Sequence, residues 1–186
     1  MIAPVDVTNI RIETPRLILR PWEESDLEDF YEYASVDGVG QMAGWLPHKD
    51  KEESYEILSM FIREKKTFAI VLKESGKVIG SLGLEDRDTD LPVPEASMGR
   101  EIGYAIGKEY WGRGLVPEAV RAVIAYCFRD LKLDWLTCGH FIRNDRSRRV
   151  VEKSGFVYVK DTIHHTRFGT EEPTKLYILY NPYNER

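Results

Sequence analysis

One carboxylate stands in a row of small residues near the middle of the chain. A β-strand points alternate side chains to opposite faces, so a strand here would carry Glu101 on one face with four small neighbours, Gly99, Gly103, Ala105 and Gly107. Glycines inside a strand often mark the close approach of a ligand or another backbone. Glu101 is therefore a candidate general base, because a carboxylate that faces a bound substrate can accept a proton from it.

The turn after this strand offers a candidate anion site. Gly112-Arg113-Gly114 precedes a helical pattern, and N–H groups at a helix start bind anions when glycines let them approach. A dinucleotide-binding loop would need a third spaced glycine and a later acid, and a Walker A loop would need Gly-Lys-Ser or Gly-Lys-Thr. Leu115 and Val116 follow instead. By itself, the glycine pair also fits an ordinary tight turn.

The composition limits the class of protein. The chain of 186 residues is 42% apolar and 31% charged, which is typical of a soluble globular domain. Its net charge of −5 disfavours a nucleic-acid partner, and no apolar run has the length of a membrane span. No Cys/His cluster has metal-ligand spacing, so we expect no metal. Cys127 and Cys138 are expected to be reduced core residues, which is typical of the cytoplasm.

Hydrophobic spacing predicts the elements that must position these residues. Their order is β, α, α, β, β, β, α, β, α, β, β, which gives about seven strands and four helices in a mixed sheet of the α+β class. We expect a single domain over residues 1–186, with its core from about residue 10 to 182. Pro15 interrupts the first strand, which is predicted as one strand or two. The segment from Asp86 to Ser97, which includes Asp88, is expected to be an exposed loop.

Local signals indicate where helices begin and end. Residues Ser25 to Glu28 have the pattern of a capping box at the start of the first helix. Apolar residues at spacings of 3, 4 and 7 from Val116 to Leu131 predict the clearest helix, with Pro117 at its first position. Asn144 can cap a short helix that Gly155 ends.

Motifs spread along the chain, in the correct order, resemble those of the GCN5-related N-acetyltransferases (GNAT). The resemblance is closest to the branch of ribosomal-protein N-terminal acetyltransferases and covers about residues 10 to 182. The segments that carry it are Thr14-Pro15-Arg16-Leu17-Ile18-Leu19-Arg20, Glu101-Ile102-Gly103-Tyr104, Tyr110-Trp111-Gly112-Arg113-Gly114-Leu115-Val116-Pro117-Glu118-Ala119, and the run from Asn144-Asp145-Arg146-Ser147 to Gly155-Phe156.

The resemblance implies a twisted mixed sheet whose central strands splay apart, with the donor acetyl-CoA in the cleft between them. The pantetheine would run beside Tyr104, Ala105 and Ile106 and pair with their backbone. Glu109 stands where the family often has Gln or Arg, and it is expected to face solvent because a carboxylate repels a pyrophosphate. The pyrophosphate would meet the amides of the turn and helix start: Gly112, Arg113, Gly114, Leu115 and Val116.

The short helix after Asn144 carries residues with both a structural and a functional interpretation. Asn144 can cap the helix with its oxygen and still offer its amide donors to the pantetheine or the acyl region. Ser147, an ordinary surface residue on spacing alone, would by resemblance lie near the CoA sulfur and protonate the departing thiolate, a role that water could also fill. Many family members place a Tyr acid where this chain has Val151. Arg146, Arg148 and Arg149 form either a solvated face or a basic cluster that attracts the 3′-phosphate.

Three side chains compete for the role of general base. Glu101 on the small-residue face is favoured over the alternative of a plain surface or salt-bridged carboxylate. His164 and His165 are its rivals, and only one of them can face inward from a strand. Three aromatic residues near the N-terminus are expected to pack in the core or on the surface rather than line an acceptor pocket: Trp22, Tyr33 and Trp45.

The favoured function is direct transfer of acetyl from acetyl-CoA to a primary amine, with a backbone N–H near Tyr104 to Ile106 polarising the thioester carbonyl. An α-amine has a pKa near 8 and a lysine amine near 10.4, so a neutral lysine costs roughly 3 kcal/mol more at neutral pH. One weak carboxylate base therefore favours the α-amine of a protein N-terminus. A small-molecule amine acetyltransferase and a non-catalytic acyl-CoA-binding module are the alternatives. The oligomeric state stays open, with a homodimer among the options.

Overall fold

The computed structural model of the chain describes residues 1–86 and 90–184. Asp88, which the sequence assigns to a loop, lies outside these ranges. The described residues form one eight-stranded sheet with four α-helices. The strands are β1 (Ile12–Glu13), β2 (Leu17–Pro21), β3 (Thr67–Leu72), β4 (Val78–Glu85), β5 (Gly99–Ile106), β6 (Trp135–Phe141), β7 (Val157–His165) and β8 (Glu171–Tyr180). The helices are α1 (Leu27–Ala34), α2 (Lys51–Glu64), α3 (Leu115–Arg129) and α4 (Asp145–Lys153).

The strand order confirms the expected mixed sheet. It runs β1-β2-β3-β4-β5-β6-β8-β7, and among these eight described strands only the pair β5 and β6 is parallel. The count rises from the predicted seven strands to eight because the first strand is split around Pro15. Proline fixes φ and offers no N–H for a ladder bond, so the chain turns there and pairs back on itself.

Helices cover both faces of the sheet, and each face has its own core. Strand β3 shows the division, because its six residues are all buried. Phe68 and Ile70 pack in the core that includes α3, while Ala69 and Val71 pack in the core under α1 and α2. This alternation is what the two-residue period of a strand dictates when both faces are covered.

Helix α3 confirms the predicted apolar stripe, with small changes at its ends. It begins at Leu115, so Pro117 occupies the third helical position rather than the first. The first-turn N–H groups have no partner within a helix, so a proline is tolerated at either position. Helix α3 ends at Arg129, and Leu131 lies beyond it. Both cysteines are buried, and neither forms a disulfide within the described residues, as expected.

The capping box predicted at Ser25 to Glu28 is wrong. The box instead spans Glu23 to Asp26, whose carboxylate accepts the Glu23 N–H at 2.8 Å. The same carboxylate receives both terminal nitrogens of Arg20 at 2.8 Å. This buried ion pair fixes Asp26 ahead of the helix, so a short 3₁₀ turn, Glu24–Asp26, precedes α1.

The splay of the central strands is confirmed by their register. Strands β5 and β6 pair from Gly99↔Trp135 to Ile102↔Cys138 and, in the described chain, share no later pair. Strand β5 meanwhile continues its ladder with β4 as far as Gly80↔Ile106. The last four residues of β5 therefore have one open edge, which faces a gap in the sheet. Within the described ranges, no helix combines the length and apolarity needed to cross a bilayer.

Candidate active site

A cleft of about 380 Å³ occupies the gap between β5 and β6. It gathers residues from β5, the turn before α3 and the first residues of that helix, β6 and α4, and it is bordered by residues of the α1–α2 loop, β7 and β8. The residues that the sequence favours for catalysis and donor binding all line this cleft, except Arg113. Those that line it are Glu101, Tyr104, Ala105, Ile106, Gly112, Gly114, Leu115, Val116, Asn144 and Ser147.

The open edge of β5 presents main-chain groups from alternate residues. Gly107 N–H donates to Ile79 O of β4 at 2.8 Å. In an antiparallel ladder the bonded pairs alternate, so the main-chain groups of Ala105 also point to β4, while those of Tyr104 and Ile106 point to the cleft. Ile106 O accepts the indole N–H of Trp111 at 3.1 Å. An extended ligand along this edge would therefore meet chiefly the N–H groups of both residues and the Tyr104 carbonyl.

The turn before α3 has the backbone geometry of an anion cradle. Gly112 and Gly114 have φ values of +75° and +74°, a region that favours glycine. Gly114 is the N-cap, so the first N–H groups of α3 are open to a ligand at the positive end of the helix dipole. Glu109 is exposed, in agreement with the prediction. The Arg113 side chain is also exposed and lies 5.7 Å from the ring centroid of Tyr110.

The start of α4 places two polar side chains at the cleft. Asn144 caps the helix by accepting the Ser147 N–H at 3.2 Å, which confirms the predicted cap. The Ser147 hydroxyl lies 2.6 Å from the hydroxyl of Tyr104, whose side chain crosses from β5. Burial is the main reason that the pKa of Tyr104 lies well above its usual value. The phenol therefore stays protonated and can donate to Ser147.

A cation–π contact joins the anion cradle to α4. The Arg146 guanidinium stacks on the indole of Trp111 at 3.7 Å from the ring centroid. Both residues line the cleft, and so does Arg149. Arg148 instead pairs with Asp145 at 3.3 Å. Both Trp111 and Arg146 lie within the family-like motifs, but spacing along the chain gives no signal that they touch.

Glu101 and His164 both lie where the cleft meets a second cavity. Glu101 is 6% exposed. Both side chains line the main cleft and also an adjoining cavity of about 280 Å³. His164 packs against the ring of Phe141, with centroids 5.5 Å apart, and against Gly44, where a Cβ would approach Nε2 to 2.8 Å. His165 lines only the smaller cavity, and its Nδ1 lies 3.7 Å from Glu171.

The loop between α1 and α2 borders the cleft, which the sequence did not predict. Met42 and Ala43 line the cleft. Arg143 holds this loop, because its Nη2 donates to Gln41 O at 3.0 Å and pairs with Glu172 at 2.8 Å. Arg143 and Gln41 are 102 residues apart in the chain, so no local pattern signals the contact. The three N-terminal aromatic residues pack in the α1/α2 core, as expected: Trp22, Tyr33 and Trp45.

The chemistry that this arrangement supports is acyl transfer within a polar, half-enclosed cleft. A carboxylate and an imidazole stand on one side, a serine hydroxyl on the other, and main-chain N–H groups lie between them. In the part of the chain that the structure describes, no group of three or more His, Cys, Asp or Glu side chains could hold a metal ion.

Comparisons with known proteins identify the family. A family model described as an acetyltransferase (GNAT) domain matches residues 16–157. An uncharacterised N-acetyltransferase, p20, of Bacillus licheniformis is 32% identical over 127 residues, which are 65% of this chain and 67% of that protein. A ribosomal protein uS5-alanine N-acetyltransferase of Escherichia coli (strain K12) is 24% identical over 172 residues, 84% of each chain.

A solved structure shows the same fold. An acetyltransferase of the GNAT family from Bacillus anthracis matches with a TM-score of 0.80 at 21% identity, covering 92% of this chain and 99% of that chain. The family model spans well over half of the present chain, including the splayed strand, the anion cradle and α4. The chain therefore belongs to the GNAT acetyltransferase family and is an acetyl-CoA-dependent N-acetyltransferase.

Proposed function

We propose that the chain transfers acetyl from acetyl-CoA directly to the α-amine of a protein N-terminus, with Glu101 as general base. The observation that carries this proposal is the position of Glu101, which lines both the donor cleft and the adjoining cavity. An amine that enters from the adjoining cavity would meet the thioester beside this carboxylate. Among the described residues that line the donor cleft, Glu101 is the only carboxylate.

The donor lies along the open edge of β5. Its pantetheine follows the backbone of Tyr104 and Ile106, and its pyrophosphate sits on the turn that contains Gly112 and Gly114. The cleft-facing N–H groups of β5 are placed to polarise the thioester carbonyl, which is the usual way that main-chain donors stabilise an acyl-transfer transition state. Asn144 caps α4 with its oxygen, so its amide donors are available to the pantetheine.

The reaction needs no covalent enzyme intermediate, because the acceptor amine is itself the nucleophile. The neutral nitrogen adds to the thioester carbon and forms the C–N bond. Glu101 takes a proton from that nitrogen, directly or through a water molecule. The C–S bond then breaks, and the electron pair leaves with the sulfur as the CoA thiolate.

Ser147 acts on the departing sulfur. A thiol has an ordinary pKa near 8.5 and a phenol near 10, and burial holds the pKa of Tyr104 higher still. Tyr104 is therefore a poor source of a replacement proton for Ser147. The pair stabilises the thiolate chiefly by donating hydrogen bonds, and the thiolate gains its proton from solvent as CoA leaves.

Three arguments favour an α-amine over a lysine. The neutral α-amine is easier to generate at neutral pH, by roughly 3 kcal/mol, and a single buried carboxylate suits it better. The similarity to the uS5-alanine N-acetyltransferase of Escherichia coli supports the same class of acceptor. The adjoining cavity of about 280 Å³ has room for the first residue of a chain rather than for a folded surface.

The proposal is tested with a matched pair of peptides. Both begin with Ala or Ser and contain one lysine, but one peptide has its α-amine blocked by a formyl group. We expect CoA release only with the free peptide, and fragmentation mass spectrometry should place the acetyl group on its first residue. Acetylation of the lysine in the blocked peptide, or turnover of small amines alone, would show that the acceptor class is wrong.

A further inference from the structure

A hydrogen-bonded cluster outside the cleft ties the N-terminal strands to the anion cradle. Arg16 precedes β2, and its Nε donates to Glu118 of α3 at 2.9 Å, while its Nη1 donates to Arg113 O at 2.8 Å. The backbone N–H of Arg16 donates to the other Glu118 oxygen at 3.0 Å, and the Thr14 hydroxyl donates to that oxygen at 2.6 Å. The reaction as derived above uses neither Arg16 nor Glu118.

Glu118 is held in place strongly enough to orient Arg16. Its side chain is only 12% exposed and receives three hydrogen bonds from a segment about one hundred residues away. Burial raises the pKa of Glu118, but the bonds from Thr14 and Arg16 outweigh this effect and leave the pKa below its ordinary value. The carboxylate also stands in the first turn of α3, where a negative charge is favoured.

The contact with Arg113 O fixes the direction of a peptide group in the cradle. A trans peptide unit is planar, with its C=O and N–H pointing in opposite directions. When Arg16 holds Arg113 O on its own side, the N–H of the next residue, Gly114, points away from Arg16. Gly114 lines the cleft. A carbonyl oxygen turned toward that side would instead repel a phosphate group.

We propose that Arg16 is a positioning residue for the diphosphate of acetyl-CoA, acting through Glu118 and the Arg113 carbonyl to aim the Gly114 N–H. This role of Arg16 rests on the proposed function in one respect: the diphosphate of the donor must bind at the turn that contains Gly112 and Gly114. Arg16 itself does not touch the reacting atoms.

The test compares two donors that differ in the diphosphate. Acetyl-CoA carries it, and S-acetylpantetheine lacks the whole nucleotide part. We expect Arg16→Ala to lower kcat/KM for acetyl-CoA by about tenfold, the order expected for losing charge-assisted hydrogen bonds, and to leave kcat/KM for S-acetylpantetheine unchanged. Arg16→Lys should show the same selective loss, because a single ammonium cannot bridge Glu118 and Arg113 O as a guanidinium does.

The matched control is Arg11→Ala, which removes an exposed arginine whose partner, Glu13, lies two residues further along the chain in β1. This variant should leave kcat/KM unchanged for both donors. Equal losses with both donors, or no loss with acetyl-CoA, would overturn the proposal. Calorimetric titration with CoA repeats the comparison without any acceptor, and the dissociation constant should rise by about tenfold in both Arg16 variants. If the wild type acetylates no peptide, the proposed acceptor fails, and the titration still decides the role of Arg16.

Discussion

The hydroxyl oxygens of Tyr104 and Ser147 lie 2.6 Å apart and join the central strand β5 to α4 on the donor side of the cleft. Tyr104 lies on β5, and Ser147 lies on α4, which follows β6 on the other side of the gap in the sheet. Because Tyr104 stays protonated, its O–H can donate to Ser147. In the proposed mechanism, the Ser147 hydroxyl can then donate its own hydrogen bond to the sulfur. The pair thereby stabilises the thiolate by hydrogen bonding, whereas the family resemblance implies that many members have a Tyr acid at the position of Val151.

The contact between Tyr104 and Ser147 predicts that the losses of kcat in the two single variants do not add in the double variant. Ser147→Ala should lower kcat by about tenfold or more, the order of one hydrogen bond to a developing charge, and Tyr104→Phe by about fivefold. The double variant should be no slower than Ser147→Ala, because Tyr104 acts only through the serine. The measurement is kcat at saturating acetyl-CoA and peptide.

The KM for acetyl-CoA separates a role of this pair in the transition state from a structural role. If only the transition state is affected, the KM of all three variants should stay within about twofold of the wild-type value. Tyr158→Phe, which removes an exposed hydroxyl on β7, is the control and should be silent. Additive losses in the double variant would mean that Tyr104 and Ser147 act independently.

The stacked pair of Arg146 and Trp111 predicts a specific loss of donor affinity. A close cation–π contact contributes about 0.5 to 2 kcal/mol, and it holds a positive charge at the mouth of the cleft. We therefore expect Arg146→Ala to weaken CoA binding by about three- to tenfold, with a smaller salt dependence than the wild type. Arg121→Ala, an exposed arginine on α3, should change neither quantity. Equal affinities of Arg146→Ala and wild type in a CoA titration would contradict this role.

The lowered pKa of Glu118 predicts that the stability difference between wild type and Glu118→Gln depends on pH. Its pKa is lowered in the folded state, so its contribution to the free energy of unfolding is fully present above the pKa of the unfolded chain. That contribution is lost as the pH falls through the folded-state pKa. Glu118→Gln should thus be less stable than wild type by about 1 to 3 kcal/mol at neutral pH, and the gap should close in acid.

Urea unfolding from pH 7 down to pH 3.5 measures this gap. Glu56→Gln changes an exposed glutamate on α2 and should show no difference from wild type at any pH. A gap for Glu118→Gln that stays constant over the whole range would mean that its carboxylate charge does not contribute.

Local patterns predicted the elements well, because each rests on neighbours in the chain. The stripe of α3, the Asn144 cap and the small-residue face around Glu101 all follow from spacing within a few residues. The separation of β5 from β6 was an expectation from the family resemblance, and the register of the two strands confirms it. The contacts of Arg16 with Glu118 and of Arg143 with Gln41 each join residues 102 apart, and only the folded chain brings them together.

Substitution of His164 tests whether this histidine or Glu101 is the general base. The His164 imidazole lines the adjoining cavity beside Phe141, the proposed entry for the peptide, so His164→Gln should raise the KM for the peptide and lower kcat by less than about tenfold. Loss of a true general base would cost roughly 100-fold or more. His165→Gln should leave kcat near that of wild type, because His165 lines only the adjoining cavity and not the donor cleft. A 100-fold loss of kcat in His164→Gln would transfer the role of base to the histidine.

The most direct test of the account is the turnover of Glu101→Gln. We expect kcat for an α-amine peptide to fall by about 100-fold or more, while the dissociation constant for CoA stays within about twofold of wild type. Glu85→Gln is the matched control, because Glu85 is the ladder partner of Glu101 on β4 and pairs with Lys66; it should retain full turnover. Wild-type turnover in Glu101→Gln would contradict the assignment of Glu101 as the base.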